Sequence, residues 1–305
     1  MKKYVIAAII FAAVLSACGK SEKTVPARSG DFLIPESAAL IGYVDMSGLM
    51  QHNQIRTIKV TAEEQLGIKL DQADEIFFWV SYDGLEGSEP AWCIASKAKA
   101  ITDISAAFEE DGEIDGFATY TLKNEEGFRA VIISGYAVVG TDAGVAMSIH
   151  ASKGGNLPQS PRNQLFSQMI SKIRGALTIA FVPTPEIKAK MSGKNMDDEF
   201  APLLENCAGI SIAADYKDEK LLIAVVVDSS KEAAETAAAE ILKLKEDAKP
   251  YIDQFGAILG EQPLSLLKIC HASFTAKAFD GTLRLSLEIP GKLLEIMENF
   301  VSNMR

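Results

Sequence analysis

The chain is poor in the residues that build chemistry. It has only three histidines, His52, His150 and His271, and no two stand at the H-x-x-x-H or H-E-x-x-H spacing. Those spacings set two imidazoles on one helix face, so a metal centre here would need ligands gathered from distant segments. Four cysteines occur without a C-x-x-C pair, which removes zinc knuckles and thioredoxin-type redox sites. The nucleophile elbow G-x-S-x-G, the phosphate loop G-x-x-x-x-G-K-[ST] and the dinucleotide fingerprint G-x-G-x-x-G are absent. Basic residues are also short: 30 Lys and Arg stand against 41 Asp and Glu. A net negative body repels phosphate backbones, which argues against nucleic-acid partners and against flat docking on anionic lipid. A membrane-crossing helix is not written at the N-terminus either. The apolar run Tyr4–Leu15 has 12 residues, and a crossing helix needs ~20.

What stands in place of such a helix is a leader. Lys2 and Lys3 form a basic start, the 12-residue apolar run follows, and Leu15-Ser16-Ala17-Cys18 closes it with small residues before a cysteine. This pattern resembles the bacterial lipoprotein signal. The resemblance implies cleavage before Cys18, a diacylglyceryl group on its thiol and an acylated, typically palmitate-bearing N-terminus. Two or three acyl chains hold a protein stably to a bilayer where one does not, at ~0.8 kcal/mol per buried CH₂. Gly19 follows the cysteine rather than Asp, which for such lipoproteins of diderm cells implies the outer membrane, facing the periplasm. Loss of residues 1–17, which hold two lysines and no acid, leaves 288 of 305 residues with 28 basic against 41 acidic side chains, a net charge of −13.

Polar residues with Pro, Ser and Gly run from Gly19 to Asp31 and read as a flexible tether with a reach of ~20 Å. The expected organisation is a signal peptide over 1–17, a tether over 18–34, a first α+β repeat over 35–158 and a second over 159–305. The repeats rest on element order. In the first, strand 39–44 precedes a helical stretch ending near Leu70, strand 74–83, strand 91–96 and a helix over 101–110. In the second, strand 176–182 precedes a helix from Pro185, strand 207–216, strand 221–227 and a long helix from Ser229. Ser229 with Glu232 fits a capping box. Ala234, Ala237, Ala238, Ile241, Leu244 and Ala248 share one face of that helix, and Pro250 is expected to stop or kink it.

Each half then closes with a hairpin and a helix. GFRAVIISGYAVVGT turns near Gly135, AFDGTLRLSLEI turns at Asp280-Gly281, and helices follow over 145–151 and 293–304. The linker SKGGNLPQSPRN, 152–163, separates the halves. The fold class expected is α+β: two tandem copies of an antiparallel sheet with helices on one face. The hairpins and the Gly140-Thr141-Asp142 strand end resemble secreted bacterial proteins built of duplicated α+β halves.

Candidate sites are few. Aligned at a spacing of 134, Ile76, Phe78, Val80 and Tyr82 match Ile210, Ile212, Ala214 and Tyr216, a shared core face. On the opposite face Phe77 and Trp79 match Ser211 and Ala213. That asymmetry has two readings: cover by a neighbouring element, or an apolar binding patch of Phe77, Trp79 and nearby Trp92. Cys207 and Cys270 each open an expected strand, which leaves either a bridge or two free buried thiols. Cys270 and His271 make no dyad, because adjacent strand residues point to opposite faces. Glu109-Glu110 and Asp197-Asp198 read as solvated helix ends rather than paired catalytic acids. The sequence thus points to a lipid-anchored envelope protein with a binding or scaffolding role, no cofactor and an envelope protein as partner. The alternative is an envelope hydrolase with a site assembled between the repeats.

Overall fold

A computed structural model describes residues 31–45, 73–81, 90–98, 108–123, 127–154, 161–173, 175–183, 188, 200–294 and 296. The fold is α+β with antiparallel sheet, and the chain divides into two compact units between Val182 and Pro183.

In the first unit eight strands pair antiparallel: β1 (Ala38–Val44), β2 (Ala73–Ser81), β3 (Ala91–Ala98), β4 (Phe108–Ile114), β5 (Phe117–Leu122), β6 (Phe128–Ile133), β7 (Tyr136–Thr141) and β8 (Leu177–Phe181). Their order is β8-β1-β2-β3-β7-β6-β5-β4. Helix α1 (Asp142–Lys153) lies over β3, β6 and β7, and α2 (Pro161–Ser171) lies against β8. Sequence explains how α1 starts and why it sits so close. Thr141 caps it, its Oγ1 accepting from Gly144 N at 3.1 Å and from Trp92 N at 3.2 Å. A Cβ on Gly140 or Gly144 would meet Trp92 O at 2.1 or 2.2 Å, so only glycine lets helix and strand approach. Val145, Ser148 and Ile149 then form the buried stripe at helical spacing.

The second unit holds β9 (Gly209–Lys217), β10 (Lys220–Asp228), β11 (Thr275–Phe279) and β12 (Thr282–Pro290), in the order β9-β10-β12-β11. This is also the order of β2-β3-β7-β6: a hairpin, an excursion, then a second hairpin whose last strand pairs with the first hairpin's return strand. The excursions differ. The first carries the β4–β5 hairpin, and the second carries α4 (Lys231–Leu259) and α5 (Glu261–Ser273). A short α3 (Ala201–Glu205) precedes β9. Ala234, Ala237 and Ala238 pack on Val227 and Leu283, with Ile210, Val225 and Leu285 beside them.

Several expectations need correction. Residues 31–34 are core rather than tether: a 3-10 turn spans Asp31–Leu33, Leu33 and Ile34 are buried, and the Phe32 ring meets Tyr136 edge-on at 6.0 Å. The unit boundary falls after Val182, not at 158/159, because β8 pairs with β1 from Leu40↔Phe181 to Val44↔Leu177. Residues 108–110 are strand, not helix. The cap of α4 is Ser230, whose Oγ accepts from Ala233 N at 3.3 Å, while Ser229 Oγ donates to Leu203 O. That helix runs through Pro250 to Leu259. Cys270 lies in α5, not at a strand start. The helices expected before Leu70 and over 101–107, Tyr82 and Asp197-Asp198 lie outside the described residues, as do the helix expected from Pro185 except Lys188, which is helical, and the last helix except 293–294 and 296.

Candidate functional site

The residues singled out by sequence do not gather into one place. Cys18 and His52 lie outside the described residues. Phe77 and Trp79 are 0% and 1% exposed and belong to the core, so they form no patch. The strand register explains why. Ile41↔Trp79 and Trp79↔Cys93 put Trp79 on the face that α1 covers, where its Nε1 donates to Ser148 Oγ at 3.2 Å. Phe77 packs edge-on to Tyr136 at 5.9 Å. Trp92 pairs with Val80 and therefore points to the other face, half-buried against Phe128 with ring centroids 5.6 Å apart. Phe78 occupies that face too, its ring over Gly42, where a Cβ would come within 2.1 Å of Cζ. Phe78 and Val80 on that face are half-buried. In the second unit α4 covers the face of Ile210, and Ser211 and Ala213 are buried on the other one.

The thiols are built for packing. Cys93, Cys207 and Cys270 are free. Burial pushes the Cys93 thiol well above its ordinary range, opposed only in part by its bond to Ser148. Burial likewise raises Cys207, against the pull of Lys188, and raises Cys270. A raised thiol is a poor nucleophile at neutral pH. His271 does not serve Cys270: its Nε2 lies 2.7 Å from Lys245 O, while Lys245 Nζ donates to Phe274 O at 2.8 Å, so both side chains tie α5 to α4. Glu109 and Glu110 are exposed on β4. Among the described residues no three His, Cys, Asp or Glu side chains gather as a metal site.

Two features escaped the motif search. The S-x-x-K spacing occurs at Ser96–Lys99 and Ser265–Lys268. Ser96 is buried and Lys99 lies outside the described residues, whereas Lys268 pairs with Asp253 at 2.8 Å on the exposed side of α5, with both side chains more than half exposed. The other is a concave surface no motif marks: a groove of about 560 Å³ in the first unit. Pro35, Glu36 and Ser37 form one wall, and Ala146, Met147, His150 and Ala151 of α1 form the other. The walls are pinned. Ala38 N donates to Pro35 O, Ser81 Oγ donates to Ser37 O at 3.1 Å, and Gly154 N closes α1 on His150 O and Ala151 O. Glu36 and His150 are exposed on the rim, while Pro35 and Ala151 are buried. Most of the lining is apolar, with Glu36 and His150 exposed at its edge and Ser37 Oγ accepting from Ser81 Oγ at 3.2 Å.

Comparison with known proteins adds little to this. No family model matches the chain, and no curated protein matches it in sequence. Among solved structures, the chain is similar to crystal form III of TP0453, with 9% identity, 86% of this chain and 94% of that chain covered, and a TM-score of 0.47. It is similar to crystal form IV of TP0453 with 8% identity, 87% and 95% covered, and a TM-score of 0.48.

Proposed function

We propose that the protein is a lipid-anchored envelope protein, held to a membrane through acyl chains on Cys18, whose α+β body has a non-catalytic binding or scaffolding role. The observation that carries this reading is the N-terminal pattern: two lysines, a 12-residue apolar run and Leu15-Ser16-Ala17-Cys18. One further observation supports the binding role: the described nucleophile candidates are packed or ion-paired rather than set beside a base.

The partner in this reading is an envelope protein. The test is recovery of partners from an envelope extract with the acylated chain as bait, beside a Cys18→Ser chain. Enrichment of one envelope protein by the acylated bait is the expected result. Recovery of nothing, together with turnover of an ester or glycoside panel, would overturn it.

A further inference from the structure

The β4–β5 hairpin changes character along its length. At its base it is tied down. Phe108 is buried against Ala130 and Val139, and the Arg129 guanidinium pairs with Asp111 at 3.2 Å and with Asp142 at 3.1 Å. Toward the tip that support stops. β5 pairs with β6 only from Thr119↔Val131 to Thr121↔Arg129, so among the described residues the ribbon over 112–118 has no third strand beside it. A bulge marks the change. Asp111 and Gly112 together face Thr119, and Gly112 stands at φ 78° with open space where a Cβ would be. A bulge bends the strand that carries it, and glycine leaves that point free to turn.

Two apolar side chains and one cation hold the tip in place. Ile114 and Phe117 are half-buried against the core that α1 covers. Lys153, in the last turn of α1, donates from Nζ to Asp115 O, lies 3.5 Å from Asp115 Oδ2 and sits over the Phe117 ring, 5.9 Å from its centroid. From this arrangement we infer that residues 112–118 form a flap. It hinges at the Gly112 bulge, latches through Lys153 and on opening uncovers Ile114, Phe117 and the edge of the core they lie against. This holds for the first unit by itself and needs neither the lipid anchor nor the binding role proposed above. The balance of forces favours a local opening. Lys153 and Asp115 are both about half exposed, so their ion pair is weak and screened by salt, and the cation over an exposed ring adds little more. By contrast Val131, Ile133 and Val138 of β6 and β7 are buried. Local opening draws on the least supported part of a fold, so the flap opens while the sheet stays closed.

Hydrogen exchange of the full chain, read by mass spectrometry, tests the flap. Lys153→Ala should speed exchange over 112–118 by about three- to tenfold and leave β6 and β7 unchanged. Lys153→Arg keeps the charge and the donors and should restore most of the protection. High salt should speed the flap of the unsubstituted chain and have no such effect on Lys153→Ala. Binding of the neutral apolar dye Nile red gives an independent readout, and Lys153→Ala should bind more of it through the uncovered Ile114 and Phe117. Flap exchange that Lys153→Ala leaves unchanged would remove the latch. Acceleration spread equally over β6 and β7 would make Lys153 a general stabiliser of the unit. Faster flap exchange without added dye binding would mean that opening uncovers no apolar surface. Each of these three results overturns the inference.

Discussion

Trp79 shows what a single position decides in this fold. Its indole is shielded by α1, and its one donor is matched by Ser148 Oγ, which also meets the Cys93 thiol. Ser148→Ala leaves the indole N–H buried without an acceptor, at a cost of about 1–3 kcal/mol. The expected outcome is a lower urea midpoint for Ser148→Ala. In a Trp92→Phe background, where Trp79 is the remaining tryptophan, emission should stay blue and resist acrylamide quenching. Quenching as strong as that of free tryptophan would restore the surface patch. The cysteines give a second check. In a Cys18→Ser chain, alkylation of the folded protein should reach half-buried Cys270 first, and Cys93 and Cys207 only on unfolding. The sign of the pH effect follows. Above about 8.5 the unfolded chain ionises thiols that the fold keeps neutral, so the unfolded state binds fewer protons and stability falls as pH rises. The aromatic asymmetry between Phe77, Trp79 and their counterparts was visible in sequence. Which face a helix covers was not, because alternation marks two faces without saying what lies on each.

Elements were legible where local chemistry is strong. Three two-residue hairpin turns pair a first residue at positive φ with glycine: Asp115-Gly116, Ser134-Gly135 and Asp280-Gly281. The last two were expected. The first went unread although it carries the same Asp-Gly signal, because β4 (FEEDGEI) is acidic, exposed and shows no alternation to flag a strand. The fourth turn, between β9 and β10, has no glycine. Asp218 and Glu219 stand at φ 52° and 58°, a conformation that costs a non-glycine side chain about 1–2 kcal/mol. Glu219→Gly should therefore raise stability by about 1 kcal/mol, read as a higher urea midpoint, since the bond from Gly291 N to Glu219 O uses backbone atoms only. An unchanged or lower midpoint would show that the Glu219 side chain matters more than its backbone. Of the two outcomes expected at Pro250, a stop does not occur: α5 packs along α4 and the helix continues to Leu259. Cys270 was expected to open a strand but lies in α5, a helix settled by packing on α4 and β12 rather than by a strong stripe of its own.

At the scale of the molecule, the α+β class and the repeated strand order were within reach of element order alone, whereas the unit boundary was not. β8 opens the second half in sequence and yet pairs with β1, a contact between segments more than a hundred residues apart that no local pattern encodes. The groove was equally invisible, since its walls are ordinary residues joined only by the fold. The Leu15-Ser16-Ala17-Cys18 pattern is the reverse case: a purely local pattern on which the proposed location and function both depend. Removal of residues 1–17 would leave a net charge of −13 and little electrostatic attraction to anionic lipid, so in the proposed reading membrane attachment falls to the acyl chains. Intact-mass and N-terminal peptide measurement of the protein from bacterial membranes tests this most directly. The account predicts a chain beginning at Cys18 that carries a diacylglyceryl thioether and an amide-linked acyl group; a free thiol at Cys18, or a chain that still begins at Met1, would contradict it.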